Sequence, residues 1–296
     1  MTHLKRGLWG VLATPFAGPS FAVDTESLKR EVELYTHIPA TGLVVLGVFG
    51  EGATLDTGEQ LLTVSTVAEA AEETPLVVGL SSRTTNVAIE QAHTAVNAAG
   101  SQLAALMVQA NTPQPDALVA HLTAIHRASG ADIVLQDYPV ASGVKISTAQ
   151  ILAVVERCPF IAAVKSEAPP TAAAIAQLTR ATDVPVFGGL GGVGLLDELA
   201  AGAAGAMTGF SHPEALQLAI TANDDGGFRA ARDAFAPWLP LANFEGQPGI
   251  GLALRKEILR RRGIIAEALV RPPAPTLPSE LADMIDAHLD AVKELA

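Results

Sequence analysis

Between Trp9 and Phe210 the chain repeats one pattern eight times: a short apolar run of strand length, then a segment with helical periodicity. The runs are Gly10 to Thr14, Gly42 to Leu46, Leu76 to Leu80, Leu103 to Val108, Ile133 to Gln136, Phe160 to Lys165, Val184 to Gly188 and Ala203 to Thr208. Strands apolar on both faces suit a parallel sheet covered on both sides, because alternate side chains then meet two different apolar layers. Eight such units within roughly 200 residues meet the requirement of a closed (β/α)8 TIM barrel. A doubly wound open sheet would show the same periodicity, since closure leaves no mark on it. The count of eight favours the barrel.

Local signals mark the helices between the runs. Asp56-Thr57-Gly58-Glu59 predicts a capping box ahead of an apolar face of Leu61, Leu62, Val64, Val67 and Ala68. Pro115-Asp116 opens a helix that turns Leu118, Val119, Leu122 and Ile125 to one side and stops near Ser129-Gly130. Ser147 caps the next, with Ile151, Leu152, Val154 and Val155 inward. After the eighth run the alternation gives way to helices alone, over Glu214 to Ala222, Phe228 to Leu239 and Gly249 to Arg262. A proline-rich connector, Arg271 to Pro278, leads to a last amphipathic helix over Ser279 to Leu295. Its Leu281, Ile285, Leu289 and Val292 are spaced to dock on the barrel or on another subunit. The expected organisation is a barrel over residues 1–222 and a helical region over 223–296, an α/β chain with a C-terminal helical extension.

Composition removes several classes of partner. With a net charge of -12 and no basic cluster beyond Arg260-Arg261-Arg262, which reads as a solvated helix end, nothing is available to neutralise a row of phosphates. Nucleic acid is therefore not an expected partner. No apolar stretch reaches the roughly 18 uninterrupted residues of a membrane span, and Met1 to Arg6 carries no apolar leader core, so a soluble cytoplasmic protein is expected. Cys158, the single cysteine, rules out a disulfide within the chain, points to a reducing compartment and reads as structural. His121 and His126 lie five residues apart on one predicted helix, a spacing that separates their faces, so no metal is expected there.

In a barrel, chemistry is carried at the C-terminal ends of the strands. The sixth run ends on Lys165, whereas Lys5, Lys29, Lys145, Lys256 and Lys293 sit in polar or helical surroundings that leave an ammonium solvated. A lysine in an apolar pocket loses solvation of its charged form, and the free amine can attack a carbonyl to form a Schiff base. A lysine that snorkels to solvent is the plainer alternative. The other strand ends offer Thr14, Val48, Phe49, Gln136, Asp137, Tyr138, Ser166, Glu167, Gly188 and Thr208. Gly188 to Gly192 could turn backbone N–H groups toward an anion, or could simply permit a tight turn. The segment lacks the GxGxxG arrangement of a dinucleotide fold, so no cofactor is expected.

The ordered set Gly10 to Phe16, Gly47-x-x-Gly50-Glu51-x-x-Thr54-Leu55, Tyr138-Pro139, Val164-Lys165 and Phe187-Gly188 resembles the dihydrodipicolinate synthase and N-acetylneuraminate lyase family of class I aldolases. The resemblance runs from about residue 7 to the C-terminal helices. It implies a (β/α)8 barrel, a homo-oligomer (tetramer or dimer), and a strand-6 lysine, here Lys165, that forms a Schiff base with pyruvate or another 2-oxo acid. The chain departs from that family in four places. Val48 and Phe49 stand where two hydroxyl residues hold the substrate carboxylate, and Gln136 stands where a tyrosine relays protons, with Tyr138 two residues on and on the same face. A neighbouring-subunit tyrosine is missing around Asn111 and Thr112, and Ala141 replaces a carboxylate-binding arginine. Glutamine is neither acid nor base near neutral pH, and no apolar residue replaces a bidentate clamp, which argues against a role in lysine biosynthesis.

The resulting expectation is a Schiff-base lyase, aldolase or dehydratase, acting on a 2-oxo acid such as a 2-keto-3-deoxy sugar acid or a pyruvate aldol adduct. Lys165 would be the nucleophile. Tyr138, Glu167 and Asp137 are the candidates for proton transfer, Glu167 having the alternative of lying in solvent or pairing with an arginine. Thr14, Val48, Phe49, Gln136, Gly188 and Thr208 would contact substrate, Ser166 and Thr208 could bind a sugar-acid hydroxyl, and Glu51 would order its loop. The rival from another class is a catalytically degenerate barrel that binds a small oxo acid or sugar acid as a sensor or scaffold.

Overall fold

In the computed structural model, which describes residues 3–293, strands and helices alternate around a ring. The barrel strands are β1 (Gly7–Val11), β2 (Gly42–Val45), β3 (Leu76–Leu80), β4 (Leu103–Gln109), β5 (Ile133–Asp137), β6 (Ile161–Ser166), β7 (Val186–Phe187) and β8 (Gly205–Thr208). All pair in parallel in the order β8-β1-β2-β3-β4-β5-β6-β7, and a bridge between Gly188 and Ala206 joins β7 to β8. The sheet thus closes, and the open doubly wound alternative is set aside. The helices between strands are α1 (Thr25–Thr36), α2 (Thr57–Ala70), α3 (Thr85–Ala99), α4 (Pro115–Ser129), α5 (Thr148–Arg157), α6 (Thr171–Ala181) and α7 (Leu195–Ala200).

The two-sided burial read from the sequence corresponds to two apolar layers. Trp9, Val44, Val77, Met107, Val134 and Phe187 fill the barrel interior, while Leu8, Leu43, Leu76, Leu106 and Val164 pack outward beneath the helices. Alternation along β6 therefore puts Lys165 on the interior face, two residues beyond Ala163.

Caps fix the helix starts as expected. Asp56 and Glu59 form a reciprocal capping box on α2, and Ser147 and Gln150 do the same on α5. Pro115 occupies the first turn of α4 and Gly130 ends it at φ 70°.

Two local expectations need correction. The first strand is Gly7–Val11, three residues earlier than Gly10 to Thr14, because the Ala13 N–H donates to the Glu31 carboxylate at 2.9 Å and Pro15 has no N–H to offer a ladder. On α2, Leu61 and Leu62 are both 45% exposed. Gln60 takes the inward position instead, donating to the carbonyls of Gly52 and Leu55 at 3.2 and 3.0 Å, which ties the loop after β2 to the helix.

After β8 follow α8 (Pro213–Phe235), which passes residue 222 without a break and bends at Gly227, then α9 (Leu239–Glu245), α10 (Gly251–Arg261) and α11 (Ala282–Val292). The last helix rests on α9, where Phe244 stacks on His288 at 4.4 Å. Its predicted end at Leu295 lies outside the described residues. Among the described residues no helix is long and apolar enough to cross a membrane.

Candidate active site

The amine of Lys165 sits 3.2 Å from the Glu167 carboxylate, both side chains at most 7% exposed. Two contacts hold that carboxylate and a third holds its backbone. The Gln136 side-chain amide donates to Oε2 at 2.7 Å, the Leu190 N–H donates to Oε1 at 3.3 Å, and the Glu167 N–H is anchored on the Asp137 carbonyl at 2.8 Å. Register explains the meeting of β5 and β6, because Gln136 pairs with Lys165 and both side chains face the interior. Glu167 is therefore neither solvated nor paired with an arginine. Its partners are Lys165 and Gln136.

These groups open into a cavity of about 470 Å³ at the C-terminal mouth of the barrel, lined also by Tyr138, Phe49, Val48 and Thr208. Burial first, then the Glu167 charge, raises the Tyr138 phenol, so it stays protonated and able to donate. The Thr208 hydroxyl accepts from the Gly191 N–H at 2.8 Å. The glycine-rich loop thus spends its N–H groups on the protein itself, on Glu167 and Thr208, and not on an external anion.

Four sequence candidates lie outside this cavity. Asp137 and Ser166 pair in register, and alternation turns both away from the face of Gln136 and Lys165, leaving the Asp137 Oδ1 and the Ser166 hydroxyl buried without partners. Burial, with the Glu167 charge second, pushes Asp137 up to about 6. Thr14 is buried in the loop after β1, its hydroxyl donating to the Gly50 carbonyl at 2.6 Å. Gly188 is held by backbone bonds to Gly205 and Met207, and the Glu198 carboxylate packs where any side chain at 188 would lie. Glu198 itself accepts from the Thr171 hydroxyl at 2.7 Å and is pushed up to about 7 by burial. Cys158 is buried at the end of α5, its thiol raised by burial, as a structural cysteine should be. His121 packs against Thr85 and His126 stacks on Phe160.

Two charged residues of α10 escape a reading of the sequence. Lys256, expected to be solvated, is 0% exposed. It donates to the carbonyls of Thr14 and Leu269 at 2.8 and 2.7 Å and pairs with Glu51, so the C-terminal helices lock the loops after β1 and β2. Burial lowers its pKa, with the Glu51 charge acting in the other direction. Its neighbour Arg255 lines the same cavity as Lys165. The Arg255 Nε donates to the buried Glu245 carboxylate at 3.1 Å, and the guanidinium lies 3.8 Å from the centre of the Phe49 ring. Their only trace in the sequence is a pair of adjacent charges directly after the apolar run Leu252-Ala253-Leu254.

The pattern of the dihydrodipicolinate synthetase family matches residues 4–292. The chain belongs to this family. It is 30% identical to L-2-keto-3-deoxyarabonate dehydratase of Azospirillum brasilense, with 96% of this chain and 94% of that protein covered. It is 31% identical to a 4-hydroxy-tetrahydrodipicolinate synthase of Corynebacterium aurimucosum, covering 92% and 88% respectively. The crystal structure of a dihydrodipicolinate synthase from Rhodopseudomonas palustris superposes with a TM-score of 0.88 at 25% identity, over 98% of this chain and all of that one. As a member of this family the chain is a lyase, and the sensor or scaffold alternative is not favoured.

Proposed function

We propose that the chain dehydrates a 2-keto-3-deoxy sugar acid through a Schiff base on Lys165. The observation that carries this is the buried Lys165–Glu167–Gln136 cluster at the barrel mouth, in which a nucleophilic amine and an oriented carboxylate lie 3.2 Å apart. Glu167 takes the proton of the lysine, whose amine attacks the C2 carbonyl. Glu167 returns that proton to the carbinolamine hydroxyl, which leaves as water to give an iminium that acidifies C3. Glu167 then removes a C3 proton, and the enamine expels the C4 hydroxyl as water, protonated by the Tyr138 phenol. Hydrolysis of the conjugated iminium frees Lys165 and the unsaturated 2-oxo acid, and the proton on Glu167 returns to Tyr138. One water is lost in balance.

The carboxylate favours elimination over aldol cleavage, since elimination needs a base at C3 and cleavage needs one at the C4 hydroxyl. The resemblance to a keto-deoxy sugar acid dehydratase supports the same choice. The finer expectations go with it: a pyruvate-like core in the substrate, a cytoplasmic setting, and a homo-oligomer that covers the exposed Leu61 and Leu62 of α2, which light scattering would check. Incubation with 2-keto-3-deoxypentonates, followed by separate assays for substrate loss and for pyruvate, tests the reaction. Loss without pyruvate is expected, and stoichiometric pyruvate would make the chain an aldolase. Borohydride with substrate should leave its mass increment on the peptide containing Lys165. An increment elsewhere, or none with a panel of 2-oxo acids, would overturn the Schiff-base reading.

A further inference from the structure

A 2-oxo acid brings a carboxylate into a cavity already flanked by the buried carboxylates of Glu167 and Glu245, where a further unpaired negative charge is expensive. Among the described residues that line this cavity, the cations are Lys165 and Arg255. Lys165 must surrender its proton to react, and in the resting site it faces Glu167. Neither Val48 nor Phe49, on the loop after β2, has a hydroxyl to offer.

Arg255 is built for the remaining task. Its Nε is tied to Glu245, its plane rests on Phe49, and its Nη1 and Nη2 donate to no protein acceptor among the described residues. Those two nitrogens face the loops after β7 and β8 at glycines: a Cβ at Gly191 would lie 3.1 Å from Nη2, and one at Gly209 would lie 2.8 Å from Nη1. Any side chain at either position would cover the donor edge. A planar pair of N–H donors, held at Nε by Glu245 and on one face by Phe49, with only glycines beside its outer nitrogens, matches the two oxygens of a carboxylate.

We propose that Arg255 clamps the C1 carboxylate of the 2-oxo acid, with Glu245 and Phe49 positioning it. Phe49 then serves as the platform for a guanidinium that supplies the anion recognition missing from the β2 loop. The assignment rests on Lys165 as the Schiff-base lysine, since that bond sets C1 beside the amine. It makes the site selective for free 2-oxo acids over their esters and amides, whatever their distal end.

Pyruvate has C1 as its only anion, so borohydride trapping across a pyruvate titration reads the clamp directly. Arg255→Lys keeps the charge and loses the fork. The pair Arg255→Gln with Glu245→Gln removes the carboxylate that the first change would strand. In both, half-saturating pyruvate should rise about 10- to 100-fold, the factor for losing a pair of charge-assisted hydrogen bonds, while the adduct plateau on Lys165 is retained. The preference of the wild type for pyruvate over neutral pyruvamide should collapse toward unity. Unchanged half-saturation in the folded variants would overturn the proposal. So would a loss confined to a dicarboxylic 2-oxo acid, which would move the clamp to the distal end. Should the wild type form no adduct, the Schiff-base reading fails, and calorimetric titration of wild type and variants with pyruvate still decides whether Arg255 binds the anion. If neither arginine variant folds, Phe49→Leu decides: a rise of about threefold supports the clamp and no change overturns it.

Discussion

At the scale of single residues, the chemistry turns on how the two oxygens of Glu167 are held. Oε1 accepts from the loop N–H of Leu190 and Oε2 from Gln136, and it is Oε2 that also meets Lys165. A carboxylate fixed in this way can receive a proton without moving, which a solvated one cannot. Glu167→Gln keeps the size and part of the hydrogen bonding but removes the base. Turnover should fall by about 10²- to 10⁴-fold while the Lys165 adduct still forms, only more slowly, and the melting temperature should change little. A variant retaining a tenth of wild-type turnover would remove Glu167 from the mechanism. The sequence marks Lys165 and Gln136 well, because period-two alternation and a strand end suffice to aim them. Glu167 is ambiguous there because what buries it arrives from Gln136, 31 residues away, and from Leu190, 23 residues away.

At the scale of elements, α10 is the brace of the active-site mouth. Lys256 holds the loop after β1 through the Thr14 carbonyl and the loop after β2 through Glu51, which in turn accepts from the Arg271 N–H. Strands were legible in the sequence because burial on two faces writes itself as an apolar run. The role of α10 was not, because a charged residue on an amphipathic helix looks solvated until the surface it docks on is known, and that surface lies more than 200 residues earlier in the chain, as the Lys256 contacts to Thr14 and Glu51 show. Replacing Lys256 by Met strands the Glu51 charge and two carbonyl groups in the interior. Breaking a buried pair from one side costs about 3–5 kcal/mol, so the variant should melt on the order of 10 °C below wild type. Adding Glu51→Gln should recover part of the loss by removing the stranded charge. A single variant melting within about 2 °C of wild type, by scanning calorimetry, would show that the brace carries little of the fold's stability.

At the scale of the whole molecule, four buried carboxylates are shifted toward their neutral forms. Burial is the leading cause in each, pushing Glu31 up to about 8, Glu198 up to about 7 and Asp137 up to about 6, and raising Glu245 as well. Between its unfolded value, near 4 to 4.5, and its folded one, each group holds a proton in the folded chain that the unfolded chain has released. Their contribution to stability is therefore complete below the unfolded value and is lost as pH rises through the folded one. The net charge of -12 acts in the same direction, since protonation relieves self-repulsion. Three histidines oppose it at lower pH. His121, His212 and His288 are lowered by burial from the ordinary 6.5, so below that value the unfolded chain binds protons that the folded chain refuses. Stability should therefore rise as pH falls from about 8.5 to about 6.5 and then level off. Urea midpoints across that range would record it, and Glu31→Gln or Glu198→Gln should flatten the slope while stabilising the protein most at the alkaline end. A wild-type midpoint that climbs steadily toward pH 8.5 would mean that these carboxylates are ionised in the folded chain, and that the polar groups around Glu31 and Glu198 solvate a charge better than their burial allows.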